Sequence, residues 1–229
     1  MLALLLLAAL LLPAAASAQA PADELLRQAL LAILGQYFDP ASVFDISAVG
    51  AALTARAVSI EDLLITGRPA VLRGIPAEFL LHVTRLELDA AALARRELRI
   101  LSFGRATVVA RSTARAMQDG LAKLSPDLLD PKVRFQTGEF VVTATVRRDG
   151  RLYPALLRGR LEIENGRRVT VRVIQAQVSG GDVPVGLVAG ELAKFDPLLD
   201  LTRWPLNLRV ERLVLHNDAV EALLTGEGR

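Results

Sequence analysis

The side chains able to do chemistry are few and scattered. The chain has two histidines and no cysteine. His82 sits in an alternating stretch between Leu81 and Val83, and His216 precedes the turn signal Asn217-Asp218. Neither has a partner at metal-ligand spacing, and a lone histidine in a strand is more often structural than catalytic. There is no His-Glu-x-x-His, no Gly-x-Ser-x-Gly elbow, no Walker loop and no Gly-x-Gly-x-x-Gly. The carboxylate pairs are Glu61-Asp62, Glu162 with Glu164, and Asp196 with Asp200. Glu162 and Glu164 fall on the polar side of an alternating strand, where a solvated face is the simple account. Asp196 and Asp200 flank Pro197-Leu198-Leu199, where loop capping competes with acid–base work. Arg158, Arg160, Arg168 and Arg172 are expected to cross-pair with those glutamates, with an anionic headgroup as the other candidate partner. The expectation is a protein that is not an enzyme and takes no cofactor or metal.

What remains is aliphatic surface, and the elements must account for it. Of 229 residues, 52% are hydrophobic but only 4% aromatic, which excludes disorder and a base-stacking platform. A net charge of +2 argues against a dedicated nucleic-acid binder. Only Lys123, Lys132 and Lys194 are lysines, so the cations are overwhelmingly arginine. Asp23 to Gln36 predicts a helix, with Leu25, Ala29, Ile33 and Leu26, Leu30, Leu34 at helical spacing. Between Ala52 and Ala114 the pattern predicts three or four antiparallel strands. These include short pieces Ser59–Leu64 and Ala70–Arg73, then Phe79–Leu88 and Leu98–Arg111. Thr113 to Lys123 predicts a second helix. From Val133 to Val178 the alternation predicts a long three-stranded meander, turning at Asp149-Gly150 and Asn165-Gly166. A slip after Val173 predicts a bulge. Pro184 to Phe195 predicts a third, short helix. Leu206 to Leu215 predicts a strand with a slip near Glu211, and Ala219 to Leu224 a final strand before a frayed Gly226–Arg229.

The first twenty residues carry no charged side chain. The apolar run Leu2–Leu12, then Pro13 and small residues through Ala20, describes a signal peptide over 1–20, cleaved before Gln19 or Pro21. The run is too short to span a bilayer, and no lipoprotein cysteine follows. A single domain is expected over 21–226, delivered to the periplasm or cell envelope.

Part of this pattern resembles a known family. The residues that carry it are Gly138-Glu139-Phe140-Val141-Val142-Thr143-Ala144-Thr145-Val146, the hairpin to Gly159-Arg160-Leu161-Glu162-Ile163, and Val169–Val178. Asp182-Val183-Pro184, Phe195-Asp196-Pro197-Leu198-Leu199-Asp200-Leu201, Trp204-Pro205-Leu206, Leu213-Val214-Leu215 and Leu223-Leu224-Thr225-Gly226 complete it. Together they resemble the LmeA-like phospholipid-binding proteins (DUF2993) of bacterial envelopes, specifically over Gly138–Gly226. Asp196 departs from the asparagine usual there. The resemblance implies an α+β, TULIP-like fold: a long, strongly twisted antiparallel sheet wrapped around apolar helices as a half-barrel with a hydrophobic groove. It implies a phospholipid or related amphiphile as partner, with peripheral membrane contact, no nucleic acid and no catalytic motif. The groove is then expected to use Leu26, Leu30, Ile33, Phe140, Val142, Val146, Leu157, Leu161, Val171, Leu187, Phe195 and Leu198. Trp204 stands either at the groove mouth or packed inside. Two alternatives stay open: an envelope assembly domain with a filled core and a protein partner, and an enzyme acting on lipid or glycan through Asp196 or Asp200.

Overall fold

The computed structural model describes residues 24, 26–72, 74–136, 138–148, 150–179, 181–182, 197–202 and 204–228. The expected signal peptide, the helix expected over Pro184–Phe195, and with it Leu187 and Phe195, lie outside the described residues.

The architecture is mostly antiparallel sheet with few helices, and one sheet curls strongly into a half-barrel. The strands form two sheets rather than the one continuous sheet expected. The first contains β1 (Phe44–Val49), β2 (Ala52–Leu53), β3 (Ala57–Leu72), β4 (Ile75–Asp89), β5 (Ile100–Ser102) and β6 (Arg105–Thr113). Its order is β1-β3-β4-β6, then two late strands, β14 (Ala219–Glu227) and β13 (Arg209–Leu215); β2 pairs with β3, and β5 with β4. The second contains β7 (Leu128–Gln136), β8 (Glu139–Arg148), β9 (Arg151–Glu164), β10 (Arg168–Val178) and β11 (Gly181–Asp182), with β12 (Leu199–Asp200) on β10. Helix α1 covers 26–34, α2 covers Ala90–Ala94 and α3 covers Ala114–Leu124.

The two short pieces expected around Thr66-Gly67-Arg68-Pro69 are one 16-residue strand, β3. Arg68 and Pro69 are absorbed in a register shift between Gly67 and Ala70, so the ladder resumes without a turn. Both β3 and β4 exceed the usual length of ~5–6 residues. Both change their buried face at the same level, from Ile60 to Leu63 on β3 and from Val83 to Leu86 on β4, and β3 changes again at the Gly67–Ala70 shift. Register is kept across the change, from Leu63↔Val83 to Ile60↔Leu86. Arg85, with φ of 50°, accommodates it on β4. Leu98–Arg111, expected as one strand, is two strands broken at Phe103-Gly104, and α2 was not anticipated.

The meander has four long strands, because Leu128–Gln136 joins it as β7. The bulge expected after Val173 is present, between Val173 and Gln175. At the β9–β10 turn Asn165 and Gly166 both have positive φ, and the Arg167 N–H donates to the Glu164 carbonyl at 2.9 Å. The shift near Glu211 is present too, between Val210 and Arg212. Leu206 and Leu208 precede β13 rather than joining it, yet both are buried. The expected frayed tail is corrected: β14 runs to Glu227, with Gly226 opposite Ala106 and Glu227 opposite Arg105.

Two cores result. The first gathers Leu26, Leu30 and Leu34 of α1 with Phe38, Val58, Ile60, Leu63 and Ile65, then Phe79 through Leu88, Leu208 and Leu224. The second is smaller: Val133, Phe135 and Phe140 are buried, with Met117 and Leu121 of α3 packed on them. Leu161 packs against both cores.

Candidate functional site

The second sheet carries two contrasting faces, fixed by its register. Phe140↔Gly159, Val142↔Leu157, Ala144↔Ala155 and Val146↔Tyr153 stand opposite each other on β8 and β9. Directly opposed residues share a face, so these pairs form one apolar stripe. Leu161↔Val171 continues it between β9 and β10. Phe140 is buried beneath the second core, but Val142, Ala144, Val146, Tyr153, Ala155, Leu157, Leu161 and Val171 are only half-buried. The equivalent side chains of the first sheet are sealed: Ile60 and Leu88 are each 1% exposed. The stripe is thus apolar surface that the described residues leave partly open.

The opposite face is mixed, with Val141, Leu152 and Leu156 among its residues, and it carries the ion pairs. Glu139 accepts from Arg158 at 2.9 Å and from Arg160 at 2.8 Å, and these two guanidiniums, Arg160 first, hold its carboxyl below the usual carboxylate range. Arg172 meets Glu162 at 3.1 Å, as the sequence expectation had it. Arg158 and Arg160 instead share Glu139, which alternation alone did not single out. Its place one residue before Phe140, on the outer parity of β8, was the available signal.

Asp200, at the end of β12, accepts from the Thr202 hydroxyl at 2.6 Å and backbone N–H at 2.9 Å, and lies 3.3 Å from Arg168. Those contacts, the Thr202 hydroxyl foremost, keep it ionised below its ordinary range. The arrangement is that of a side chain capping its own loop. Asp196 lies outside the described residues. His82 Nε2 lies 3.0 Å from Asp62 Oδ1 on the outer face of the first sheet. The pair borders a shallow depression with Ser47, Val49, Leu64 and Leu80, on the first sheet and not on the sheet that carries the stripe. Among the described residues no group of three or more His, Asp or Glu could hold a metal ion.

The structure divides the expected groove residues between two places. Leu26 and Leu30 are buried in the first core, and Ile33 is buried on the same helix. Phe140, Val142, Leu157, Leu161 and Val171 gather at the second core. Val146 continues their face toward the β8–β9 turn. Leu198 is half-buried where its N–H donates to the Val169 carbonyl at 2.9 Å. Trp204 packs edge-on to Phe38 (centroids 5.8 Å apart, 85°) and tilted on Tyr37, within an aromatic cluster that includes Phe44 and Phe79. Sequence reasoning missed Tyr37, Phe38 and Phe44, because they sit in turn and strand-start positions with no periodicity.

Neither a scan of protein-family models nor comparison with curated proteins and with solved structures finds a match.

Proposed function

We propose that this is a non-catalytic, exported binding protein that holds a phospholipid or related amphiphile in an apolar groove, in the manner of tubular lipid-binding modules. The observation that carries the reading is the half-buried stripe of the second sheet. An aliphatic chain laid on Val142, Leu157, Leu161 and Val171 removes its own and their surface from water, worth ~0.8 kcal/mol per buried CH₂. No reactive side chain is needed for that. Export rests on the apolar leader over 1–20, and the wrapping of sheet around helices as a groove belongs to the same proposal.

The test is direct. Purified protein is extracted with organic solvent for mass spectrometry, and titrated with a fluorescently labelled phospholipid. Co-purified phospholipid and a saturable signal are expected. Absence of both overturns the reading. One observation favours a second reading, an envelope assembly domain: the first core is filled, with Leu208 and Val108 fully buried. That reading expects retention by a protein partner and no lipid.

A further inference from the structure

The strands that end the two sheet orders are guarded to different degrees. An end strand offers N–H and C=O groups to any other chain, and charged residues, proline and bulges are the usual protection. Strand β13 has Arg209, Glu211 and Arg212 and a register shift. Strand β7 has Asp130, Pro131, Lys132 and Arg134 and another shift. Strand β11 is two residues long. Strand β1 has little of this protection. It pairs with β3 without a shift, and with no second strand among the described residues. Its single charge is Asp45. Among the described residues four large hydrophobic side chains are more than half exposed, and Val43, Val49 and Leu53 on this edge are three of them.

The pairing with β3 fixes which backbone groups face outward. The Val43 N–H donates to the Pro69 carbonyl at 2.9 Å, and the Val43 carbonyl accepts from the Arg68 N–H at 3.0 Å. Backbone bonding alternates along an antiparallel strand, so Asp45, Ser47 and Val49 likewise turn their N–H and C=O toward β3. Phe44, Ile46 and Ala48 turn theirs away from it. Their side chains pack at the rim of the first core, half-buried, while Val43, Asp45, Ser47 and Val49 are exposed on the outer face.

The stretch Val43–Val49 is complementary to itself. Two copies related by a two-fold axis at Ile46 run antiparallel, with each Ile46 opposite the other. Phe44 then stands opposite the partner's Ala48, a large side chain against a small one. Asp45 stands opposite the partner's Ser47, a carboxylate beside a hydroxyl. Val43 stands opposite the partner's Val49, and these valines are 61% and 58% exposed in the single chain. The pairs that exchange hydrogen bonds in this register are those of Phe44, Ile46 and Ala48, whose groups face outward. The partner's Val43 also lands beside Val49 at the border of the depression lined by Leu64 and Leu80. An extended segment of a different protein would gain the backbone bonds without this matching of side chains.

We infer that β1 is the seam of a symmetric dimer, in which a second copy of this chain pairs with Phe44–Val49 antiparallel about a two-fold axis at Ile46 and joins the two first sheets into one. So short a seam falls below the ~20–30 residues a side of a stable interface, so the dimer exchanges with monomer. It lies on the first sheet and leaves the stripe of the second untouched, so it stands or falls apart from lipid binding.

The experiment follows the average mass of the full chain by sedimentation from about 5 to 500 µM, where mass action separates monomer from dimer. The wild type is expected to pass from monomer toward dimer over that range. Ser47→Lys sets a cation opposite the partner's Asp45 and is expected to tighten the dimer, and Ser47→Asp sets a like charge there and is expected to weaken it, each by roughly fivefold. Leu152→Lys, at a side chain as exposed as Val49 but on the other sheet, is expected to change nothing. The chain has no cysteine, so Ile46→Cys reports the axis by itself. Opposed Cα atoms about 5.5 Å apart suit a disulfide, and Ile46→Cys is expected to oxidise to a covalent dimer faster than Leu152→Cys. Circular dichroism checks the fold of each variant, and Val49→Lys, also expected to weaken the dimer, serves if Ser47→Asp fails to fold. A wild type that is monomeric at every concentration overturns the seam and leaves the edge to an extended segment of another protein. A dimer that Ser47→Lys and Ser47→Asp shift in the same direction, or not at all, overturns it too. So does an Ile46→Cys chain that oxidises no faster than Leu152→Cys, since the two copies would then meet elsewhere or in another register.

Discussion

Gly159 lies beneath the Phe140 ring, and that contact closes the inner end of the stripe. A methyl group at this position would stand 2.6 Å from Phe140 Cζ and 2.8 Å from the Arg172 carbonyl oxygen. The ring could turn, but the backbone oxygen cannot leave without opening the ladder. Gly159→Ala is therefore expected to cost about 1–3 kcal/mol, seen as a lower urea midpoint at unchanged m-value. An unchanged midpoint would show that the strands separate there at little cost. Asp200 makes a different kind of prediction. Its pKa is depressed in the folded state by Thr202 and Arg168. Its contribution is thus present above the unfolded value and lost as pH falls through the folded one. Asp200→Asn should be less stable than wild type at neutral pH, and the gap should close in acid, as equilibrium denaturation at stepped pH would show. A gap that persists in acid would mean that the charge is not what Asp200 supplies.

Among elements, α3 offers the cleanest test. Thr113 Oγ1 accepts from the Ala116 N–H at 3.1 Å, and the helix it starts lays Met117 and Leu121 on the second core. Thr113→Ala is expected to cost about 1 kcal/mol in chemical denaturation. Helix α3, the meander and the bulges near Ile174 and Glu211 were legible because alternation and helical spacing are local. What escaped was set by neighbours. Arg68-Pro69 reads as a turn, and only pairing with β4 keeps β3 continuous across it. Gly226-Glu227 reads as a tail, and only β6 makes it a strand. The meander residues of the candidate site were legible as one face of one hairpin. The sorting of Leu26 and Leu30 into a different core was not, because periodicity gives a buried face and never its partner.

At the scale of the molecule, the described residues finish two interiors to different degrees. Leu88 is sealed in the first, while Val142 is half-exposed at the edge of the second. Leu88→Ala should cost about 2–5 kcal/mol, as a cavity in a closed core does. Val142→Thr should cost about 1 kcal/mol. If the stripe holds lipid, the order reverses for lipid affinity: Val142→Thr should weaken labelled-phospholipid binding severalfold at a temperature where both variants are folded. Equal affinity in the two variants would argue against the stripe. The hairpin of β13 and β14 is shared between the interiors, giving Val210 and Leu224 to the first and Leu215 and Val220 to the second. Strand β14 also pairs along its whole length with β6, more than a hundred residues earlier. A ribosome reaches Ala219–Glu227 long after β6 has been made, so neither interior can be completed before those residues are added. Loop closure over such a span is slow. Until that strand arrives, β6 is an open edge, and an open edge is where a second chain can pair.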